Sequence, residues 1–498
     1  MATRPQQVCG STRATPQKGA TSLVDEQVLY LSIRELALRI RERKLSPVEL
    51  AEAYLERSER VGSKLNAYAT LTRDLALNQA RSAEREIASG HYRGPLHGIP
   101  YAPKDLVAAK GYPTTWGAPP FAEQRFDYNA TIIERLNAAG AVMIGKAAMI
   151  ELAGGLGYTN GAASLTGPAR NPWQPDCWTC GSSSGSGAVV AAGLAAFSIG
   201  SDTRGSIICP TAWCGVSGMR PSFGRVSRHG AMAIAWSMDK LGPMARTADD
   251  CGLILSVIAG HDPKDHDSLP PGLADFPYSS ASGQAAPLRI GKLTNAWPPN
   301  AALESVIDDA VRVLEKDGAK VADARVPDGP FEDAAELTIL MEAAASFRNM
   351  IHSGSCARLR DPLGQINGYV SEEFSSSDYL DVQRIRNILQ RRIDKLFDDF
   401  DVLVAAGSDS TAQPLVERPR PRRRPALVPE EQVNQKEPDG ISSLCGLPAL
   451  CVPCGFSKEN LPYGLQFLAR ATNDHAVVGA AAKYQSLTDW HQKHPQIS

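Results

Sequence analysis

Along the first hundred residues the apolar positions recur three and four apart, the spacing of one face of an α-helix. Ser32-x-x-Glu35 and Ser46-Pro47-x-Glu49 are capping-box patterns, the second with proline at the first helical position. Behind these caps Leu36 pairs with Ile40 and Leu50 with Tyr54 at i, i+4. The spacing predicts a helical region over 28–95, packed on a core and preceded by a tail over 1–27. From about residue 96 the pattern changes to short apolar strand, Gly-rich turn and Ala-rich helix. One such unit is a helix over Thr131 to Ala139, Gly140 as its cap and a strand over Ala141 to Gly145. Its repetition predicts an α/β sheet covered by helices on both faces. Residues 263–287 are rich in Pro, Gly and Ser and read as a connection. Beyond them Leu288 to Leu293 reads as a strand, followed by a helix carrying Val306, Ala310, Val313 and Leu314 on one face and ending at Gly318. The sheet is therefore expected to continue from 96–262 into 288–498. Within that second part, 414–440 is an irregular loop, with Arg418, Arg420, Arg422, Arg423 and Arg424 among five prolines from Pro414 to Pro429.

Composition narrows the partners. The chain has 498 residues and a formal charge of -2, so no global field attracts a polyanion, and nucleic acid is not expected as a partner. No stretch reaches the roughly 18 to 20 apolar residues of a membrane helix, and no membrane partner is expected. The first 24 residues hold Arg4, Arg13 and Lys18 without an acid, a composition shared by transit peptides and disordered tails; the tail is the simpler reading. The ten cysteines are too sparse for a disulfide scaffold and suggest buried reduced thiols in a cytoplasmic protein. Cys177-x-x-Cys180 and Cys451-x-x-Cys454 lack the compact spacing of a zinc module, so neither a metal nor another cofactor is expected.

The densest cluster of small residues is Cys180-Gly-Ser-Ser-Ser-Gly-Ser-Gly187, followed by an apolar run to Phe197 and by Ser201-Asp-Thr-Arg-Gly-Ser206. Serines and glycines entering an Ala-rich helix expose N–H groups and hydroxyls at its N-terminus, suited to a developing negative charge. Gly181-x-Ser183-x-Gly185 matches a nucleophile elbow, but the polar, Pro-containing stretch Asn171 to Thr179 stands where that elbow needs a strand. A second candidate lies upstream in Gly98-Ile-Pro-Tyr-Ala-Pro-Lys104-Asp105. A lysine ending an apolar segment there acts as a base if burial lowers its pKa.

Together these segments resemble the amidase-signature family, with its G-[IV]-P-x-x-x-K-D, G-G-S-S-G-G-S and D-x-G-G-S patterns. Arg170-Asn-Pro-Trp173, Cys214 to Pro221, Gly224-Arg-Val226, Gly242-Pro-Met244, Gly446-Leu-Pro-Ala449 and Gly464-Leu-Gln466 extend the likeness over roughly residues 28–487. The resemblance implies a single large α/β domain with a central twisted mixed β-sheet covered by helices on both faces. It also implies Ser206 as acyl-forming nucleophile, Ser182 as bridging serine after a cis Gly181-Ser182 peptide, and Lys104 as base. Ser182 and Ser206 stand 24 positions apart (206 minus 182), the family's spacing. The backbone N–H groups of Thr203, Arg204, Gly205 and Ser206 are the implied oxyanion hole. Gly154, Gly155 and Tyr158, with Tyr112 and Trp116, flank the implied substrate site. Cys180, Ser184, Gly187 and Arg204 depart from the family's usual Gly, Gly, Ala and Gly; Arg204 either reaches the pocket or turns into a salt bridge. The implied activity is hydrolysis of small amides, with carbamates, anilides and esters as further substrates, by an enzyme for which a homodimer is a common state. The alternative is the A subunit of a glutamine-dependent tRNA amidotransferase.

Overall fold

The computed structural model describes residues 24–280, 287–297, 300–415 and 436–497. Residues 1–23 of the tail expected over 1–27, and the arginines of 418–424, lie outside the described residues.

Residues 25–27, expected in the tail, belong to the fold. Asp25 caps a short 3₁₀ turn, Glu26–Tyr30, through the Gln27 N–H, and Leu29 is buried. Ser32 and Glu35 form the complete capping box of the helix Ile33–Arg41, which buries Leu36 and Ile40. At the helix Pro47–Arg57 only half of the predicted box forms: Ser46 accepts from the N–H groups of Val48 and Glu49, and its hydroxyl donates to Glu84. Leu50 and Tyr54 are fully buried, as their spacing requires.

Among the described residues twelve strands follow one another: β1 (Tyr68–Leu71), β2 (Pro100–Pro103), β3 (Val142–Met143), β4 (Gly145–Ala147), β5 (Phe197–Asp202), β6 (Ser217–Arg220), β7 (Lys240–Ala245), β8 (Arg289–Leu293), β9 (Lys320–Ala324), β10 (Val402–Ala406), β11 (Ala449–Phe456) and β12 (Pro462–Leu468). Ten of them form one sheet in the order β3-β2-β5-β7-β6-β11-β12-β10-β8-β9. The sheet is mixed: β3, β2 and β5 run parallel, as do β10, β8 and β9, and the strands between them pair antiparallel. Strands from both sides of 263–287 therefore belong to one domain. Residues 273–275 of that connection are held by the Arg225 guanidinium, which donates to the carbonyls of Leu273, Ala274 and Asp275.

Helices cover both faces. Ser184–Ala191 is buried along its whole length between β5 and the helix Ile208–Cys214, which explains why it carries no charge and no polar stripe. Its first turn passes so close to its neighbours that a Cβ at Gly185 would lie 2.4 Å from both the Ala148 nitrogen and the Ala67 oxygen.

Four expectations are corrected. The strand predicted over 141–145 is two strands, β3 in the large sheet and β4 paired with β1, because the chain changes sheets at Ile144. The helix Ala301–Lys316 buries Leu303, Ile307, Ala310, Val311 and Leu314 and leaves Val306 and Val313 half-buried, so its core face is turned from the one predicted. The loop expected over 414–440 ends early, since Pro438 begins the helix Pro438–Leu444, where its missing N–H breaks no hydrogen bond. Not every cysteine is reduced: Cys180 and Cys209 form a disulfide, while Cys177, Cys451 and Cys454 are free and buried.

Candidate active site

The site lies at the carboxyl ends of the adjacent parallel strands β2 and β5. Lys104 follows β2 directly, and its N–H donates to the Ile199 carbonyl of β5, which fixes where its side chain starts. That side chain is fully buried. Its amine donates to Ser182 Oγ at 2.7 Å and to Ser201 Oγ at 2.9 Å. Burial lowers the Lys104 pKa from 10.5 to about 7, although Asp202 and Asp239 pull in the opposite direction. A lysine so placed can accept a proton near neutral pH.

Ser182 is held by its backbone. The Gly181-Ser182 peptide is cis, the Ser182 carbonyl accepts from the Ile150 N–H, and the next N–H, of Ser183, donates to the Ser206 carbonyl at 3.2 Å. Both serine segments are thereby joined at the start of the helix Ser184–Ala191. Ser206 itself is half-buried, and among the described residues none hydrogen-bonds its hydroxyl. Ser183 has a different occupation: its hydroxyl is buried and donates to the Ser201 carbonyl, which removes it from contention as an exposed nucleophile.

Between β5 and the helix Ile208–Cys214 the chain makes a tight loop over 203–206, held by two buried carboxylates. Asp202 accepts from the N–H groups of Gly205 (2.8 Å) and Ile207 (2.7 Å) and from the Arg220 guanidinium (3.2 Å). Burial alone would raise its pKa, but Arg220, Lys240 and these N–H groups hold it below the usual carboxylate range. Asp239 accepts from the Thr203 hydroxyl at 2.6 Å and from the N–H groups of Ile234 and Ala235. Gly205 has φ +84°, and an added Cβ would lie 2.6 Å from Asp439 Oδ2, so only glycine fits there. The Gly205 N–H is committed to Asp202, which narrows the expected oxyanion donors. Among the described residues no protein acceptor takes the N–H groups of Thr203, Arg204 or Ser206.

The Arg204 side chain turns away into ion pairs with Glu336 and, at 2.6 Å, with Glu437. Of the flanking residues, Gly154 and Gly155 allow close approach: a Cβ at Gly154 would meet the Tyr158 ring at 2.6 Å, and one at Gly155 would meet Ile234 at 2.7 Å. Tyr158 stands edge-on to Trp178, with its hydroxyl beside Gly181. Tyr112 and Trp116 are half-buried; Trp116 packs on Phe121 and Phe126 and serves the core. A cavity of about 260 Å³ reaches Ser201, lined by Met232, Ile234, Trp236, Asp239 and Lys240 among others.

Several of these groups escape a linear reading. Ser201 meets Lys104 only because β5 lies beside β2. Asp105, adjacent to the base, is not a surface partner for it but forms a wholly buried pair with Lys146 at 3.0 Å. Thr115 donates to the same carboxylate, and Thr114 and the Pro113 carbonyl accept from Lys146. Among the described residues no cluster of His, Cys, Asp or Glu could hold a metal ion.

The sequence profile of the amidase family matches residues 49–478. The chain is 36% identical over 488 residues to the A subunit of a glutamyl-tRNA(Gln) amidotransferase from Chloroflexus aurantiacus, covering 91% of this chain and 96% of that protein. Among solved structures, a peptide amidase from Stenotrophomonas maltophilia superposes with a TM-score of 0.79 at 29% identity, covering 91% of this chain and 96% of that one. A bacterial aryl acylamidase of the amidase-signature family has the same fold, with a TM-score of 0.82 at 24% identity over 93% of this chain and 97% of that one.

Proposed function

The chain belongs to the amidase (amidase-signature) family, and from that membership we propose that it is an amidohydrolase working through Ser206, Ser182 and Lys104. Its substrates are small amides, with carbamates, anilides and esters within the same chemistry. The observation that carries this reading is the fully buried Lys104 amine, 2.7 Å from Ser182 Oγ and beside a loop with uncommitted N–H groups.

In the neutral form of Lys104 the contact with Ser182 reverses: the Ser182 hydroxyl donates to the amine lone pair and in turn accepts the proton of Ser206. Ser206 Oγ then attacks the substrate carbonyl. The tetrahedral oxyanion takes up the N–H groups of Thr203, Arg204 and Ser206, and each such donor is worth about 2.7 to 4 kcal/mol of barrier. The proton returns along Lys104 and Ser182 to the leaving nitrogen, the C–N bond breaks, and Ser206 is left acylated. Water, deprotonated through the same relay, attacks the ester, and collapse of the second tetrahedral intermediate frees the acid and restores the Ser206 hydroxyl. Ser201 holds the lysine amine on course throughout. The substrate contacts of Gly154, Gly155 and Tyr158 belong to this proposal, as does a homodimeric state.

The amidotransferase reading is kept alive by the 36% identity to the Chloroflexus protein. The two readings separate on one experiment. Purified alone, a free-standing amidase turns over p-nitroanilides, aliphatic amides or aryl carbamates, and Ser206→Ala abolishes that turnover. A component of an amidotransferase leaves the panel untouched and releases ammonia from glutamine only with its partners present.

A further inference from the structure

We infer that the Arg204 side chain is a positioning residue that aims the oxyanion loop, and that it is not a recognition group for the substrate. The inference rests on the proposed roles of Ser206 and of the loop N–H groups.

The other ties on the loop come from the sheet itself or its immediate surroundings. Thr203 is held by Asp239, just before β7, and Gly205 and Ile207 by Asp202 at the end of β5. Among the described residues, Arg204 is the loop residue whose side chain forms ion pairs with the second half of the chain. One arm of its guanidinium pairs with Glu336 on the helix Phe331–Ser346, and the other pairs with Glu437 at 2.6 Å. Of the two anchors, Glu437 is itself fixed. The Glu437 N–H donates to Glu332 Oε1 on the same long helix at 2.8 Å, and Glu437 immediately precedes the helix Pro438–Leu444. That short helix closes the circuit on the loop: Asp439 packs against Gly205, and Ser442 accepts from Arg220, the cation that pairs with Asp202.

The same contacts exclude another role for Arg204. Two of its terminal nitrogens face protein carboxylates, so a substrate anion would have to displace Glu336 or Glu437 to reach the charge. Where the family pattern has glycine, this chain has a residue with restricted φ and ψ whose far end is pinned in two places. Pinning the side chain fixes the peptide groups on either side of Arg204: the one before it carries the uncommitted Arg204 N–H, and the one after it carries the Gly205 N–H already held by Asp202. Small misplacement of such donors lowers the rate without loosening the substrate.

The test compares wild type with Arg204→Ala, Arg204→Lys and Glu437→Gln. It measures kcat and KM, and the affinity for an aldehyde or boronic acid that mimics the tetrahedral intermediate against that for a competitive product acid. Arg204→Ala should lower kcat about 10- to 100-fold with KM little changed. The tetrahedral mimic should weaken by a similar factor while the product acid binds as before, and Arg204→Lys should recover part of the loss. Glu437→Gln should lower kcat severalfold on its own and add little in the Arg204→Ala background; it carries the test if Arg204→Ala does not fold. A raised KM with unchanged kcat would instead make Arg204 a substrate contact, and unchanged kcat and mimic affinity would reduce it to a surface ion pair; either result overturns the inference. A wild-type enzyme that forms no adduct on Ser206 points to failure of the functional reading itself, whereas an adduct with an indifferent Arg204 overturns only this step.

Discussion

Activity should rise with pH through a single ionisation near 7, and that ionisation should belong to Lys104. Burial moves the amine from 10.5 to about 7, a gap corresponding to about 5 kcal/mol at ~1.36 kcal/mol per decade. At pH 7 a lysine with the ordinary value is neutral in about one molecule in three thousand, whereas this one is neutral in about half. The assay is kcat/KM for an amide substrate between pH 5 and 9. It should climb about tenfold per pH unit below 7 and level above it. Asp439, which burial also raises to about 7, lies against the oxyanion loop, so the limb must persist in Asp439→Asn to be credited to Lys104. Stability supplies the second readout. Between about 7 and 10.5 the unfolded chain holds a proton on Lys104 that the folded chain does not. Stability contributed by this site therefore rises with pH across that window by up to about 1.4 kcal/mol per unit; below it the full penalty opposes folding. Lys104→Met removes the penalty along with the activity. The difference in unfolding free energy between wild type and Lys104→Met should thus move in favour of wild type from pH 7 towards 10, while Asp250 and Asp439 titrate in both proteins. A flat rate profile between pH 5 and 8, or a stability difference independent of pH, would rule out Lys104 as the base.

Ser201→Ala removes one of the two hydroxyls that accept from the Lys104 amine; with about 1 kcal/mol at stake, kcat should fall severalfold and the acid limb should move to lower pH, and a profile identical to wild type would argue against the contact. Asp202→Asn takes from buried Arg220 its nearer carboxylate, at 3.2 Å, and leaves it Asp439 at 3.8 Å, so the urea midpoint should drop by the equivalent of about 3 kcal/mol, the lower end for a broken buried pair. For the buried Asp105–Lys146 pair, Asp105→Leu and Lys146→Met should each destabilise strongly and the double variant by clearly less than their sum, measured as a double-mutant cycle. Gly205→Ala combines a left-handed backbone with a Cβ 2.6 Å from Asp439; activity should fall more than tenfold while circular dichroism stays native.

The local features of the chain are legible without the fold. The capping box at Ser32, the helix over 131–138 with Gly140 beyond it, and the strand after the 263–287 connection follow from short-range chemistry, which neighbouring residues dictate. The two serine segments are legible for the same reason, since small residues before an uncharged helix restrict what the chain can do. What escapes depends on residues brought together from afar. Ser201 reaches Lys104 across 97 positions because β5 docks beside β2. Asp105 stands next to Lys104 in sequence, yet β4 places Lys146 against it. Cys180 and Cys209 are separated by 29 positions in sequence, and no spacing rule pairs them. The face of the helix Ala301–Lys316 is misjudged because Val306 and Ile307 are equally apolar, so periodicity alone does not choose between adjacent stripes. Arg204 leaves two outcomes open, and the choice between them lies in Glu336 and Glu437, more than a hundred residues away.

Everything proposed for the mechanism depends on Ser206 carrying the acyl group. The decisive measurement is mass spectrometry of the protein quenched during turnover of an aryl carbamate or p-nitroanilide, followed by peptide mapping. An acyl mass increment is expected on the peptide containing Ser206, and none in Ser206→Ala. An increment on Ser182 or Ser183 instead, or turnover that survives in Ser206→Ala, would exclude Ser206 as the nucleophile.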